Sequence, residues 1–275
     1  MGIDLSKIVG TGPDGRIVRN DVLTYQEQIG MVNNEKSKLV TVDAAGPIIE
    51  KINLSGIRKV VSHRVLESYV SAPHIYLETV ADVTDLLKLR NKLNDRLKDN
   101  NHITFTDLVI KATYLSISKN RILNSTITDD VIYVFKNINI GIATWTEGGL
   151  IVPVIRDIRD LTLLEISMRR KELIEKARES KITLEELEGG TFTITNLGMF
   201  AVNSFLPIIN LGQAAILAVG EISRAFIPDG NDNPVIKSLV KLVLGVDHRI
   251  AGGVEGAKFL SDLKEYLELP LLMMA

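Results

Sequence analysis

The sequence predicts an α/β (α+β) domain, a mixed β-sheet with flanking helices. Three observations carry this. From residue 50 onward, helical and strand-like segments interleave without a regular βαβ alternation, which argues against a barrel or a strictly doubly wound fold. Threonine caps answered by an acid three residues on mark several helix starts. The chain has 275 residues, 45% hydrophobic and 24% charged but only 5% aromatic. That is enough material for a substantial core, and an aliphatic one.

In order along the chain, residues 1–28 read as a small unit. Asp4-Leu5-Ser6 starts a helical turn, Gly10 to Gly15 is a turn-rich loop, and Asn20-Asp21 cap a short helix over 22–28. Residues 29–49 lose periodicity and read as a flexible linker, which leaves 50–275 as the main domain. A helix is expected over 58–70. A second begins at Asp82 or Thr84 and runs to 98, with Leu86, Leu89, Leu93 and Leu97 at helical spacing. Thr104 opens a third, with Asp107 as its acidic cap partner.

Strands follow at 131–135, at 137–143 and at 150–155, where Pro153 argues for an edge or a bulge. Thr162 and Glu165 form a capping box for a helix to about 179, and Thr183 and Glu186 form one for a short helix ended by Gly189-Gly190. Further strands are expected at 191–196, 214–219 and 239–246. A last helix is expected over 254–267, before Pro270.

Composition excludes several function classes. A net charge of −2 and a pI near 6.1 favour neither nucleic acid nor an anionic membrane surface. With no cysteine there is no disulfide framework and no thiolate nucleophile, and four scattered histidines argue against a metal enzyme. No apolar run reaches the roughly 18 residues that a membrane span needs, and the N-terminus lacks the pattern of a signal peptide. A cytoplasmic protein is the expectation. Gly10, Gly12 and Gly15 match the dinucleotide-binding glycine spacing, but the preceding strand, long helix and distant acid are wanting, so a plain loop is the reading.

The chemistry points to Asp247-His248-Arg249-Ile250-Ala251-Gly252-Gly253, which follows an apolar strand and precedes a helix. A histidine at a strand end can serve as a general base near neutral pH, and nearby glycines let a substrate approach closely. From the residues alone, a histidine satisfied by local hydrogen bonds at a strand-to-helix turn stays open.

Longer segments carry a resemblance. They are Ser55-Gly56-Ile57-Arg58 through Arg64, Pro73-His74-Ile75-Tyr76, and Gly149-Leu150-Ile151-Val152-Pro153-Val154-Ile155-Arg156-Asp157. Thr191 through Phe200, Gln213-Ala214-Ala215-Ile216-Leu217 and Asp247-His248-Arg249 complete the series. In that order, over residues 50–275, they resemble the catalytic domain of dihydrolipoamide acyltransferases, the core of 2-oxo acid dehydrogenase complexes. Residues 2–22 resemble part of a peripheral subunit-binding domain, with the family's first helix and any lipoyl domain outside this sequence, so a truncated binding unit is expected.

The resemblance implies a chloramphenicol acetyltransferase-like fold, a trimeric building block with sites between subunits, and acyl transfer between dihydrolipoamide and coenzyme A. Coenzyme A would be a substrate, and the lipoyl group would come from another domain or chain. His248 would deprotonate the attacking thiol. Thr195 would supply the oxyanion hydroxyl that the family usually takes from a serine, with Thr193 as second choice.

The family has aspartate or asparagine four residues after the histidine, paired with the arginine of the first helix. Here that position is Gly252 and the arginine is Arg58. Asp247 or Glu255 is expected to take over the pairing, or else the site is weakened. The apolar tail Leu269-Pro270-Leu271-Leu272-Met273-Met274 would build a cage from trimers, or pack on its own domain. Implied partners are a lipoyl domain, the 2-oxo acid decarboxylase and dihydrolipoamide dehydrogenase, with no nucleic acid and no membrane. A silent scaffold of the same fold, and a stand-alone acyltransferase acting on a small molecule, are the competing readings. The acyl group and the cage size stay open.

Overall fold

The computed structural model describes Ile17 and residues 50–54, 56–97 and 102–274. The expectations for 1–28, apart from Ile17, and for 29–49 lie outside the described residues. The chain divides into two units, Met1–Asn53 and Leu54–Ala275, and all described regular structure belongs to the second.

That unit runs α1 (Gly56–Ser71), β1 (His74–Asp82), α2 (Thr84–Asn94), α3 (Phe105–Lys119), β2 (Ser125–Thr128), β3 (Val131–Val134) and β4 (Ile140–Ile142). It continues β5 (Thr144–Thr146), β6 (Gly149–Ile151), β7 (Val154–Ile155), α4 (Leu163–Arg178), α5 (Leu184–Leu187) and β8 (Phe192–Asn196). It ends with β9 (Ala215–Pro228), β10 (Pro234–Asp247) and α6 (Gly253–Glu268). The main sheet has six strands in the order β1-β10-β9-β8-β4-β7. β8 runs parallel to both β4 and β9, while the other neighbours are antiparallel, so the sheet is mixed as predicted. Two small hairpins, β2-β3 and β5-β6, stand apart from it.

Alternation along the strands assigns the faces. Phe192 and Ile194 of β8, Leu217 and Val219 of β9, and Leu242, Leu244 and Val246 of β10 are buried in one aliphatic core with α3 and α6. Phe192 meets Phe259 of α6 with ring centroids 5.6 Å apart. Each such fully buried side chain contributes about 1.5–3 kcal/mol. α3 is buried on most sides, including Leu108, Val109, Ile110 and Ala112, and its capping acid Asp107 is fully buried. Asp107 answers Thr104 in a capping box and is held on its other side by the Arg170 guanidinium of α4. The boxes expected at Thr162 and Thr183 also form.

Four strand expectations change. The strand expected over 137–143 is only Ile140–Ile142, because Asn139 instead bridges loops: its side chain donates to the Gly189 carbonyl and accepts from the Asp157 N–H. The segment 150–155 breaks at Pro153. β6 pairs with β5 while β7 edges the main sheet, and Ile142 N–H still reaches the Pro153 carbonyl at 2.8 Å. β9 and β10 are far longer than 214–219 and 239–246, since they continue as a two-stranded ribbon closed around Asp229 to Asn233. β1 pairs with β10 along nine residues, although only its beginning had been indicated, through the resemblance at Pro73-His74.

Candidate active site

The sheet face opposite the helices carries several small residues, Gly141, Thr193, Ala218, Gly220 and Gly245, beside Ile216 and Val243. At Gly220 and Gly245 the absent side chains let the backbone of a loop, residues 201–212, approach that face closely. A Cβ on Gly220 would collide with the Asn203 carbonyl, and one on Gly245 would lie 3.4 Å from the Pro207 carbonyl.

β10 ends at Asp247, and His248 follows at the first position of a turn. Its ring is exposed and has no hydrogen-bond partner among the described residues. Its backbone is fixed: His248 N–H donates to the Pro73 carbonyl at 2.9 Å, and the Asp247 carbonyl accepts from Ile250 and Ala251. An imidazole that is free at its tip and tied at its base can take a proton without first breaking a bond.

Asp247 is buried, but its carboxylate does not orient His248. Arg249 holds it in a fork, at 3.0 Å from Nε and 2.6 Å from Nη2. This hydrogen-bonded pairing raises the guanidinium's pKa further above its usual value. The pair therefore shapes the turn, and the expected rescue of Arg58 does not occur. Glu255 is also committed, accepting from the Gly252 N–H at 3.0 Å. Arg58 is exposed on the first turn of α1, close to Gly149, with no hydrogen-bond or ion-pair partner among the described residues. Because Arg58 is exposed to solvent, its charge carries no burial penalty in the single chain.

Gly252 is the N-cap of α6 and offers no side chain to the helix's first N–H groups. Its φ of −95° is open to any residue, so the backbone does not demand glycine there.

On β8, Thr193 and Thr195 point to the face under the loop. Thr193, the second choice for the oxyanion donor, is committed elsewhere. It is buried, its hydroxyl donates to Gln213 Oε1 at 2.6 Å, and Gln213 Nε2 donates on to the Gly190 carbonyl. Thr195 is half-buried and its hydroxyl has no partner among the described residues.

The two principal candidates do not meet within one chain. Thr195 stands level with Ala218 of β9, and Ala218 with Val243 of β10. His248 lies five positions beyond Val243. That is about 17 Å along the strands and about 10 Å across them, too far for both side chains to touch one carbonyl group. Two residues that sequence reasoning passed over also matter: Gln213, which orders Thr193, and His74, which is hydrogen-bonded through both ring nitrogens. Both sit inside the quoted segments, but nothing in their spacing marked them.

Among the described residues no group of three or more His, Asp or Glu side chains converges as a metal site, and no helix is long and apolar enough to cross a membrane.

The family model for the 2-oxoacid dehydrogenases acyltransferase (catalytic domain) matches residues 47–275, and that for the e3 binding domain matches residues 1–23. A dihydrolipoyllysine-residue acetyltransferase component of the mitochondrial pyruvate dehydrogenase complex of Schizosaccharomyces pombe is 38% identical over 282 residues, covering 99% of this chain and 58% of that protein. The corresponding component from Rickettsia bellii is 35% identical, covering 100% of this chain and 65% of its own length. The chain thus spans between about half and two thirds of these curated relatives.

Among solved structures, that of the Azotobacter vinelandii dihydrolipoamide acetyltransferase has a TM-score of 0.82 at 26% identity, covering 86% of this chain and 98% of that one. It was studied for the role of a serine, a histidine and an asparagine in catalysis, with the asparagine four positions after the histidine. A probable dihydrolipoamide acetyltransferase from Listeria monocytogenes scores 0.78 at 33% identity, covering 82% of this chain and 96% of that one. Chloramphenicol acetyltransferase, at 11% identity and a TM-score of 0.50, shares the fold, covering 79% of this chain and 99% of that one.

Proposed function

The chain belongs to the 2-oxoacid dehydrogenase acyltransferase family, and from that premise we propose that it moves an acyl group between the thiol of dihydrolipoamide and coenzyme A. The observation that carries the reading is His248, an exposed imidazole with no hydrogen-bond partner among the described residues, on a backbone-anchored turn at the end of β10. A free thiol has a pKa near about 8.5, so only a small part is thiolate at neutral pH. His248 takes the thiol proton as the sulfur attacks the thioester carbonyl. The carbonyl oxygen then carries the negative charge, and the Thr195 hydroxyl donates to it. Collapse expels the other thiolate, which recovers the proton from His248, so the base ends as it began.

Since one chain holds His248 and Thr195 apart, a working site takes His248 from one copy and Thr195 from a neighbour. Coenzyme A is a substrate in this scheme, and the lipoyl group arrives on another domain or chain. Acetyl is the first acyl group to test, because the named relatives are acetyltransferases. The C-terminal tail supports assembly beyond that unit. Pro270 and Met273 pack on the chain's own domain, while Leu271, Leu272 and Met274 leave apolar surface open for another copy. The decarboxylase and the dihydrolipoamide dehydrogenase are the proposed partners of the complex, the latter through residues 1–23.

A silent scaffold is the second reading, and Gly252 favours it: where the Azotobacter protein has its studied asparagine, this chain has no side chain. Thioester exchange between free dihydrolipoamide and a panel of acyl-CoAs separates the two. Transfer that His248→Ala abolishes supports the enzyme; no transfer from folded, assembled protein leaves the scaffold.

A further inference from the structure

His74 opens β1 directly opposite Asp247, one residue from the proposed base. Its ring is engaged on both sides. Nδ1 lies 2.6 Å from the Ala72 carbonyl, and Nε2 lies 3.0 Å from the backbone nitrogen of Ile209. A carbonyl can only accept and an amide N–H can only donate, so the proton sits on Nδ1 and Nε2 accepts. The rings of Tyr69 and Tyr76 flank the imidazole at 5.8 and 5.9 Å. The same Ile209 is gripped from its other side, where the buried Ser68 of α1 donates its hydroxyl to the Ile209 carbonyl at 2.6 Å. The residue before His74 completes the junction, since the Pro73 carbonyl receives the His248 N–H.

The dipeptide Pro73-His74 thus joins the end of α1, the loop over the sheet and the turn that carries His248. A rigid ring offering one donor and one acceptor on opposite sides fits this junction, and the neutral imidazole is the side chain that does so.

We propose that His74 is a positioning residue for His248: its neutral ring clamps the loop 201–212 and the end of α1 to the start of β1, and the Pro73 carbonyl passes that fixed position to the turn of the base. The effect on rate rests on the acyl-transfer reading; the clamp itself does not. A small displacement of a catalytic group is costly, so loss of the clamp reduces turnover and leaves substrate affinity nearly unchanged.

The test uses the full-length chain in its assembled form with His74→Phe, His74→Gln and Ser68→Ala, measuring peptide-resolved hydrogen exchange, kcat and KM for thioester exchange, and Tm. His74→Phe is expected to speed exchange about 10-fold in both 203–212 and 247–252, and to lower kcat about 10-fold or more at unchanged KM. His74→Gln, whose amide also offers a donor and an acceptor, recovers part of both. Ser68→Ala loosens 203–212 alone and keeps kcat. The proposal is overturned if His74→Phe and His74→Gln leave 247–252 as protected as the native chain, or if Ser68→Ala lowers kcat as much as they do. If the native chain shows no transfer, the acyl-transfer reading falls, and the exchange pattern alone decides the clamp.

Discussion

His248 and Thr195 occupy opposite kinds of place. His248 is exposed on a turn, with its backbone tied to Pro73 and its ring free. Thr195 lies within a strand of the main sheet, half-buried beneath a loop, its main chain held in register and only its hydroxyl idle. Each is presented by a rigid element and each is left unsatisfied, which is how a preorganised group looks before its substrate arrives. Yet the register of β8, β9 and β10 separates them within one chain. In the proposed scheme the sheet therefore carries two half-sites per chain, and the chemistry takes a second copy.

The largest effect that would break this comparison is at His248. His248→Ala should lower the thioester-exchange rate about 10²–10⁴-fold with Tm nearly unchanged, because the ring is exposed and makes no hydrogen bond among the described residues. A loss below tenfold would remove the base from the scheme. Next come the two threonines. Thr195→Val should cost about 10²–10³ in kcat and little stability. Thr193→Val should do the reverse, because it leaves the buried Gln213 amide short of a partner at a cost of about 1–3 kcal/mol. Equal rate losses in the two variants, read beside their Tm values, would erase the distinction between them. The smallest effect is at Gly252. Gly252→Asn should add a few tenths of a kcal/mol by capping α6 and leave the rate within about threefold. A larger rate gain would mean that Gly252 weakens the native site.

Much of this was legible in the sequence. Threonine-to-acid spacing located three helix starts, and apolar β-branched runs located the central strands, because both signals are local. The ribbon formed by the outer halves of β9 and β10 escaped because its residues alternate between half-buried and exposed and include Phe226 and Ile236 on the surface, so no continuous apolar run marks it. His248 was readable as a histidine at a strand end. Its proposed pairing with Thr195 came only through the family resemblance, since that pairing depends on register and on a second copy. Asp247 was misjudged as support for Arg58 because its true partner, Arg249, is a near neighbour whose fork geometry only coordinates show. His74 was invisible for a similar reason: both of its bonds reach backbone atoms, one of them 135 residues away.

The shared site can be tested directly by coexpressing His248→Ala and Thr195→Val chains so that mixed assemblies form. Each variant alone should be nearly inactive. In mixed assemblies a site that draws His248 from one copy and Thr195 from its neighbour is intact about one time in four, so roughly a quarter of the native rate should return. Mixed assemblies no more active than either variant alone would contradict a site built between copies.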